Sequence, residues 1–202
     1  MTDVAINLHA HPDVLRRFVG DGSRFGLQVT YSLESEILGT AGALQPLRDF
    51  FRDEEGFVVL YGDVLTDVDL RLVRRAHATA DADATIVVSR VDDPTRAGIV
   101  TFSGDYRITR LVEKPAAGDV FSDWANAGIY CCGPAVLRYV SAQGPQDFAR
   151  DLFPAMLADG RYLLASPTAG LVIDFGSPER LETARAAVRD GALRRAPAAQ
   201  PC

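Results

Sequence analysis

The chain has 202 residues and a mass of 21.8 kDa, with 48% hydrophobic and 24% charged residues and a formal net charge of −6. That balance belongs to a globular protein with a core of its own and excludes disordered, collagen-like and coiled-coil chains. An acidic field repels phosphate backbones and anionic headgroups, so small molecules are the expected partners, with no nucleic acid and no membrane. No apolar window approaches the length of a bilayer span, and no basic-then-apolar leader opens the sequence. Cys131, Cys132 and Cys202 have no metal-ligand spacing, and their odd number suits a reducing compartment, so the expected location is cytoplasmic.

Along the chain, residues 4–8 read as a strand with no lead-in, and Pro12 opens a short helix that Gly20 and Gly22 punctuate. Residues 27–31 alternate as a second strand. Thr40 is placed to cap a helix over 41–51. The apolar runs 57–61 and 85–88 do not alternate, which predicts central strands of a parallel sheet, buried on both faces. A helix carrying Leu70, Val73, Ala76 and His77 on one face separates them. Residues 99–102 and 108–112 form a predicted antiparallel hairpin about Ser103-Gly104-Asp105, followed by a strand over 127–132. Helices over 135–139 and 148–157, strands over 162–165 and 171–174, and a helix over 178–189 complete the pattern. The fold class is α/β, a three-layer mixed, mainly parallel sheet. One domain over 1–190 is expected, then a disordered tail over 191–202, rich in Ala, Pro and Arg.

Few residues suggest chemistry, and each has a plain structural reading beside the functional one. Gly39 and Thr40 enter a helix through small residues whose backbone N–H groups could approach an anion, or simply turn the chain. Asp63 follows an apolar strand, where α/β sheets collect ligands and a carboxylate can hold Mg²⁺; it could equally cap a helix. Glu113 and Lys114 could bind sugar hydroxyls and phosphate, or form a solvated ion pair. Asn126 offers a carboxamide suited to hydroxyls, or a satisfied turn. Asp174 follows a buried strand, where a charge needs a partner, a metal or a helix to cap. His9, His11 and His77 are too scattered for a zinc site, and no nucleophilic triad can be assembled.

Taken in order, seven segments give the chain a family likeness. They are Asn7-Leu8-His9-Ala10-His11, Gly20-Asp21-Gly22-Ser23-Arg24-Phe25-Gly26, Leu38-Gly39-Thr40-Ala41-Gly42-Ala43-Leu44, Gly62-Asp63-Val64-Leu65, Val112-Glu113-Lys114-Pro115, Asn126-Ala127-Gly128-Ile129-Tyr130 and Ile173-Asp174-Phe175-Gly176-Ser177-Pro178-Glu179. Together they resemble the sugar-phosphate nucleotidyltransferases that make nucleotide-sugars, over nearly the whole chain. The nearest likeness is to mannose-1-phosphate guanylyltransferase-like members. The resemblance implies nucleotidyl transfer from a nucleoside triphosphate to a sugar-1-phosphate, with pyrophosphate released. It implies Mg²⁺ held by Asp63 and Asp174, the nucleotide faced by Gly39 and Thr40, and the sugar phosphate met by Gly98, Glu113, Lys114 and Asn126. Lys114 takes the catalytic charge-neutralising role, and a homo-oligomer is compatible with it.

The sequence also departs from the family pattern. It has no G-G-x-G-T-R-L loop and no Pro-Lys-Pro segment before residue 4, and Ala97 and Val172 stand where aromatic residues are common. A strand near the middle of the sheet is therefore expected to be wanting, with unpaired backbone groups on its neighbours and catalysis impaired. The alternative to an active enzyme is an impaired fragment, or a non-catalytic paralogue that binds sugar phosphate or a partner subunit. Two geometric expectations follow. Asp63 and Asp174 must converge on one cleft, and the strand must bend at Lys114-Pro115 for Glu113 and Lys114 to share a pocket.

Overall fold

The computed structural model describes residues 1–193. Its first elements form a βαβ unit: β1 (Asp3–Leu8) and β2 (Gln28–Leu33) pair in parallel and are joined by α1 (Pro12–Val19). A short α2 (Gly39–Gly42) and a 3₁₀ segment (Gln45–Phe51) lead to β3 (Phe57–Leu60). Then come β4 (Val64–Thr66), α3 (Leu70–Ala80), β5 (Ala84–Arg90), the hairpin of β6 (Gly98–Phe102) and β7 (Ile108–Glu113), and the long β8 (Trp124–Cys132). A π-helical turn (Phe148–Leu152) runs into α4 (Phe153–Ala158), and β9 (Leu163–Pro167), β10 (Val172–Asp174) and α5 (Pro178–Arg189) finish the chain.

The main sheet has six strands in the order β7-β6-β8-β5-β9, with β3 also paired to β8. β8 divides one of its edges between two partners. Its last residues, Ile129 to Cys132, pair with β3, while Ala125 pairs with Ile99 of β6. The break between them coincides with Gly128 at φ 69° and a register shift against β5. Such bulges re-aim side chains, and this one places Asn126 where β3 leaves the edge and β6 takes over. A separate two-stranded sheet joins β4 to β10 in antiparallel register, with Asp174 opposite Val64.

Two cores flank the sheet, which makes the expected three layers. Ile86, Val88, Tyr130 and Cys132 face the π-helical turn and α4, where Tyr130, Phe148 and Phe153 interlock at ring distances of 4.9–5.3 Å. Val87, Ile129 and Cys131 face Val73 of α3. Alternation along β8 thus sends the two adjacent cysteines to opposite cores as packing residues. Truncating a fully buried ring such as Phe148 would cost about 3–5 kcal/mol.

Several expectations are corrected. The α/β class and the mixed sheet stand, but the sheet is mostly antiparallel rather than mainly parallel: only β5 and β9 pair in parallel within it. The short β6–β7 link allows only a hairpin, since parallel pairing needs a crossover of about a dozen residues or more, and the other antiparallel pairs all arise because β8 runs against β3, β5 and β6. β5 is central and buried on both faces as expected, but β3 is not central. Leu60 is 47% exposed, and among the described residues β3 pairs with β8 alone. The expected helix over 41–51 is broken, because Gly42 and Pro46 interrupt it and the carbonyl of Gln146 takes the Ala41 and Gly42 N–H groups. The segment at 135–139 is a 3₁₀ turn (Pro134–Arg138). Of the expected tail, Gly191 and Ala192 hydrogen-bond back to the end of α5, and residues 194–202 lie outside the described residues.

Among the described residues, β1 has a strand partner only in β2, and β3 only in β8. Each therefore presents one unpaired strand edge. α1 contributes no buried residue; its Val14 and Phe18, and Leu33 and Ile37 further along the chain, lie more than half exposed.

Candidate active site

The site is built where β3, β6, β7 and β8 meet. Gly98 opens β6 opposite Glu113, the last residue of β7. A Cβ on Gly98 would lie 2.5 Å from Glu113 Oε2, 3.5 Å from the Ala149 Cβ and 3.7 Å from the Asn126 Cβ. A side chain there would have to displace the Glu113 carboxylate, and the three residues line one wall. Burial pushes the Glu113 carboxyl up from its ordinary value, and the nearby Asp147 charge pushes the same way.

Lys114 adopts the left-handed conformation at φ 47°, a costly state for a side chain with a Cβ. Its N–H still bonds the Ala97 carbonyl at 3.1 Å, so the turn is held by the β6 side of the hairpin. The turn ends β7 and swings the ammonium back until Nζ lies 3.8 Å from Glu113 Oε1. The bend expected before Pro115 is thus present, and it sits on Lys114 itself.

On the other side, β3 ends at Leu60 and the chain turns through Gly62 and Asp63 into β4. The backbone of Asp63 is fixed by the Phe175 N–H, which donates to its carbonyl at 2.7 Å. A Cβ on Gly176 would lie 3.1 Å from Asp63 Oδ2 and 3.2 Å from Asp174 Oδ1, so both carboxylates border one small volume. Asp174 is already engaged: Oδ1 accepts the Gly176 N–H at 2.8 Å, and Oδ2 pairs with Arg180 at 2.7 Å. No group of three or more His, Cys, Asp or Glu side chains gathers as a metal cage among the described residues. Two hard carboxylates do suit Mg²⁺, which binds through one or two such groups and takes its remaining ligands from water and substrate phosphates.

Gly39 has φ 76°, and a Cβ there would strike the Gln146 carbonyl at 2.5 Å. Its role is to let two loops touch. Thr40 turns its hydroxyl inward, donating to Asp147 Oδ2 at 2.6 Å and accepting the Phe148 N–H at 3.0 Å. Any part it has toward a nucleotide is left to its backbone. Asn126 accepts the Gly128 N–H at Oδ1 over 2.9 Å and donates from Nδ2 to the Tyr130 hydroxyl at 2.7 Å.

Sequence reasoning missed Tyr61, Tyr130 and Asp147. The tyrosines fall within apolar strand runs, and Asp147 is not singled out by any motif. No local signal distinguishes them, because their partners lie as far as 107 residues away in sequence. The polar hollow lined by Asp83, Arg107, Tyr139 and Arg161 lies at the opposite, N-terminal ends of β5 and β9. Its charged groups are occupied with one another, Arg161 with Asp83 and Tyr139 with Asp159.

Comparison with known proteins agrees with this geometry. The nucleotidyl transferase family matches residues 1–191. The chain belongs to that family. A mannose-1-phosphate guanyltransferase of Neurospora crassa is 32% identical over 183 residues, covering 89% of this chain and 49% of the relative. The catalytic subunit beta of a Danio rerio mannose-1-phosphate guanylyltransferase is 38% identical, over 77% of this chain and 43% of its own length. This nucleotidyl transferase chain therefore spans about half the length of the curated relatives it matches. A Bacillus anthracis structure described as a glucose-1-phosphate thymidylyltransferase superposes with a TM-score of 0.83 at 29% identity, covering 94% of this chain and 77% of that one.

Proposed function

We propose that this nucleotidyl transferase chain acts on a sugar-1-phosphate and a nucleoside triphosphate to form a nucleotide-sugar. What supports the reading is the wall of Gly98, Glu113 and Asn126, with the Lys114 ammonium 3.8 Å from Glu113 Oε1, together with the Asp63 and Asp174 carboxylates that border one volume at Gly176. A sugar-phosphate oxygen would attack the α-phosphorus; the new oxygen–phosphorus bond forms as the bond to pyrophosphate breaks. Such transfer depends on positioning and charge neutralisation, and no nucleophilic side chain is needed. Lys114 neutralises the sugar phosphate as a point charge, while Glu113 and the remaining Nδ2 hydrogen of Asn126 hold sugar hydroxyls. Asp63 and Asp174 would hold Mg²⁺, with Arg180 moving off Asp174. The ion would supply further charge neutralisation for the phosphates. Two buried free cysteines suit a reducing, cytoplasmic setting, and no helix among the described residues is long and apolar enough to cross a membrane.

A second reading, sugar-phosphate binding with little turnover, is favoured by the Arg180–Asp174 pair, which occupies one of the two carboxylates. Calorimetric titration with mannose-1-phosphate and glucose-1-phosphate, alongside pyrophosphate release with each nucleoside triphosphate and Mg²⁺, tests both. Binding of either hexose-1-phosphate with loss of affinity in Lys114→Ala supports the site, and turnover decides between the readings. Absence of any hexose-1-phosphate binding would overturn it.

A further inference from the structure

Arg180, in the first turn of α5, reaches back to a carboxylate of the site. Its guanidinium donates from Nη1 to Asp174 Oδ2 at 2.7 Å, while its own backbone N–H bonds the Ser177 hydroxyl at 3.3 Å. The two oxygens of Asp174 are thus used differently. Oδ1 accepts the Gly176 N–H at 2.8 Å and borders the same small volume as Asp63 Oδ2. Oδ2 is paired with Arg180.

Two carboxylates around one volume repel each other, and the guanidinium leaves them with one net negative charge rather than two. Arg180 therefore does for Asp174 part of what a divalent cation would do for both aspartates. A cation held by Asp63 and Asp174 would stand beside the guanidinium, and like charges at that range repel. The pair is also weak enough to yield. The Arg180 and Asp174 side chains are 46% and 53% exposed, and exposed pairs of this kind are worth little. Elsewhere α5 is lightly held. Ser177 caps it and Ala184 is buried, but Leu181 and Val188 border a hollow of about 440 Å³ shared with Leu65 of β4 and with Phe175. Letting go of Asp174 would loosen the start of the helix without touching the main sheet.

We propose that Arg180 is the built-in counter-ion of the Asp63–Asp174 pair: a divalent cation takes Asp174 in competition with it, and the change of partner frees the first turn of α5. Linkage makes the effect reciprocal, so whatever detaches Arg180 tightens the hold on the cation. The metal half of this inference rests on the reading of Asp63 and Asp174 given above, whereas the tie between Arg180 and α5 does not.

Titration with Mn²⁺, followed by the electron paramagnetic resonance signal of the free ion, reads the competition, and Mg²⁺ should displace the bound Mn²⁺. Arg180→Gln keeps most of the side chain's length but not its charge. It should bind Mn²⁺ about two- to fivefold more tightly than wild type, and Arg180→Lys within about twofold of wild type. Hydrogen exchange followed by mass spectrometry reads the release. Added Mg²⁺ should speed exchange at the start of wild-type α5 by about twofold or more. In Arg180→Gln the same segment should exchange fast from the outset and ignore Mg²⁺. Asp174→Asn should speed it likewise with no metal added.

Equal Mn²⁺ affinity in wild type and Arg180→Gln would overturn the competition and leave the metal reading standing. Weaker binding in Arg180→Gln would overturn it as well, because the guanidinium would then steady Asp174 for the ion instead of contesting it. An α5 that answers neither Mg²⁺ nor Asp174→Asn would overturn the release. Absence of Mn²⁺ binding in wild type and Arg180→Gln alike would refute the metal reading and the competition together, while exchange in Asp174→Asn still decides whether Arg180 ties α5 down.

Discussion

Lys114 shows how one residue can be costly to the fold and useful to the site. It is the chain's sole lysine, and it stands in a left-handed conformation that glycine would adopt freely. Its ion pair with Glu113 contributes little, since the Lys114 side chain is 62% exposed and the separation is 3.8 Å. Lys114→Gly is therefore expected to raise the unfolding free energy by about 0.5–1 kcal/mol in urea titration, while hexose-1-phosphate binding falls at least about tenfold. A destabilised Lys114→Gly variant would show that the ammonium, or the stem beneath it, packs more than the geometry indicates.

At the scale of elements, α3 and β5 are joined by one polar contact inside an apolar seam. Thr85 is wholly buried, and its hydroxyl meets His77 Nδ1 at 2.9 Å. Burial pushes the His77 imidazole below its ordinary value of 6.5, against a weaker opposite pull from Asp81 and Asp83. The unfolded chain thus takes up a proton at a higher pH than the folded one. The stabilisation is fully present above about pH 6.5 and is lost as pH falls from there through the folded-state value. Urea unfolding of wild type and His77→Gln at pH 7.5 and 5.5 checks the sign: the advantage of wild type should shrink at the lower pH. An advantage that grows would mean that the imidazolium is stabilised in the fold.

Across the whole molecule, stability is unevenly spread. β5 lies between two strands and two cores, whereas among the described residues the β1–β2 unit pairs only within itself, and its connecting helix has no fully buried residue. The edge of β1 facing away from β2 and the edge of β3 facing away from β8 have no strand partner among the described residues. Native-state hydrogen exchange should therefore find β1 and β2 amides opening far below the free energy of global unfolding, while Val87 and its neighbours exchange only through it. Equal protection in β1 and β5 would show that the unit is bound to the body more firmly than its contacts suggest.

The sequence alone was enough for the α/β class, for the family and for the buried character of β5, because these rest on local composition and on the order of short motifs. It also placed the bend beside Pro115, since two alternating residues cannot share a pocket on a straight strand. Of the strand pairing, only the β6–β7 hairpin was within its reach. The run at 57–61 is as apolar as that at 85–88, yet β3 lies at an open edge, because partners are chosen by connection length and by segments far away in the chain. The role of Thr40 was also out of reach. A threonine before a small-residue helix reads as a cap, and only the folded chain brings Asp147 to its hydroxyl. The tertiary structure decided which partners hold each polar side chain, because the Thr40 hydroxyl meets Asp147 and the Phe148 N–H, 107 and 108 residues away in sequence, and nothing local to Thr40 reveals them.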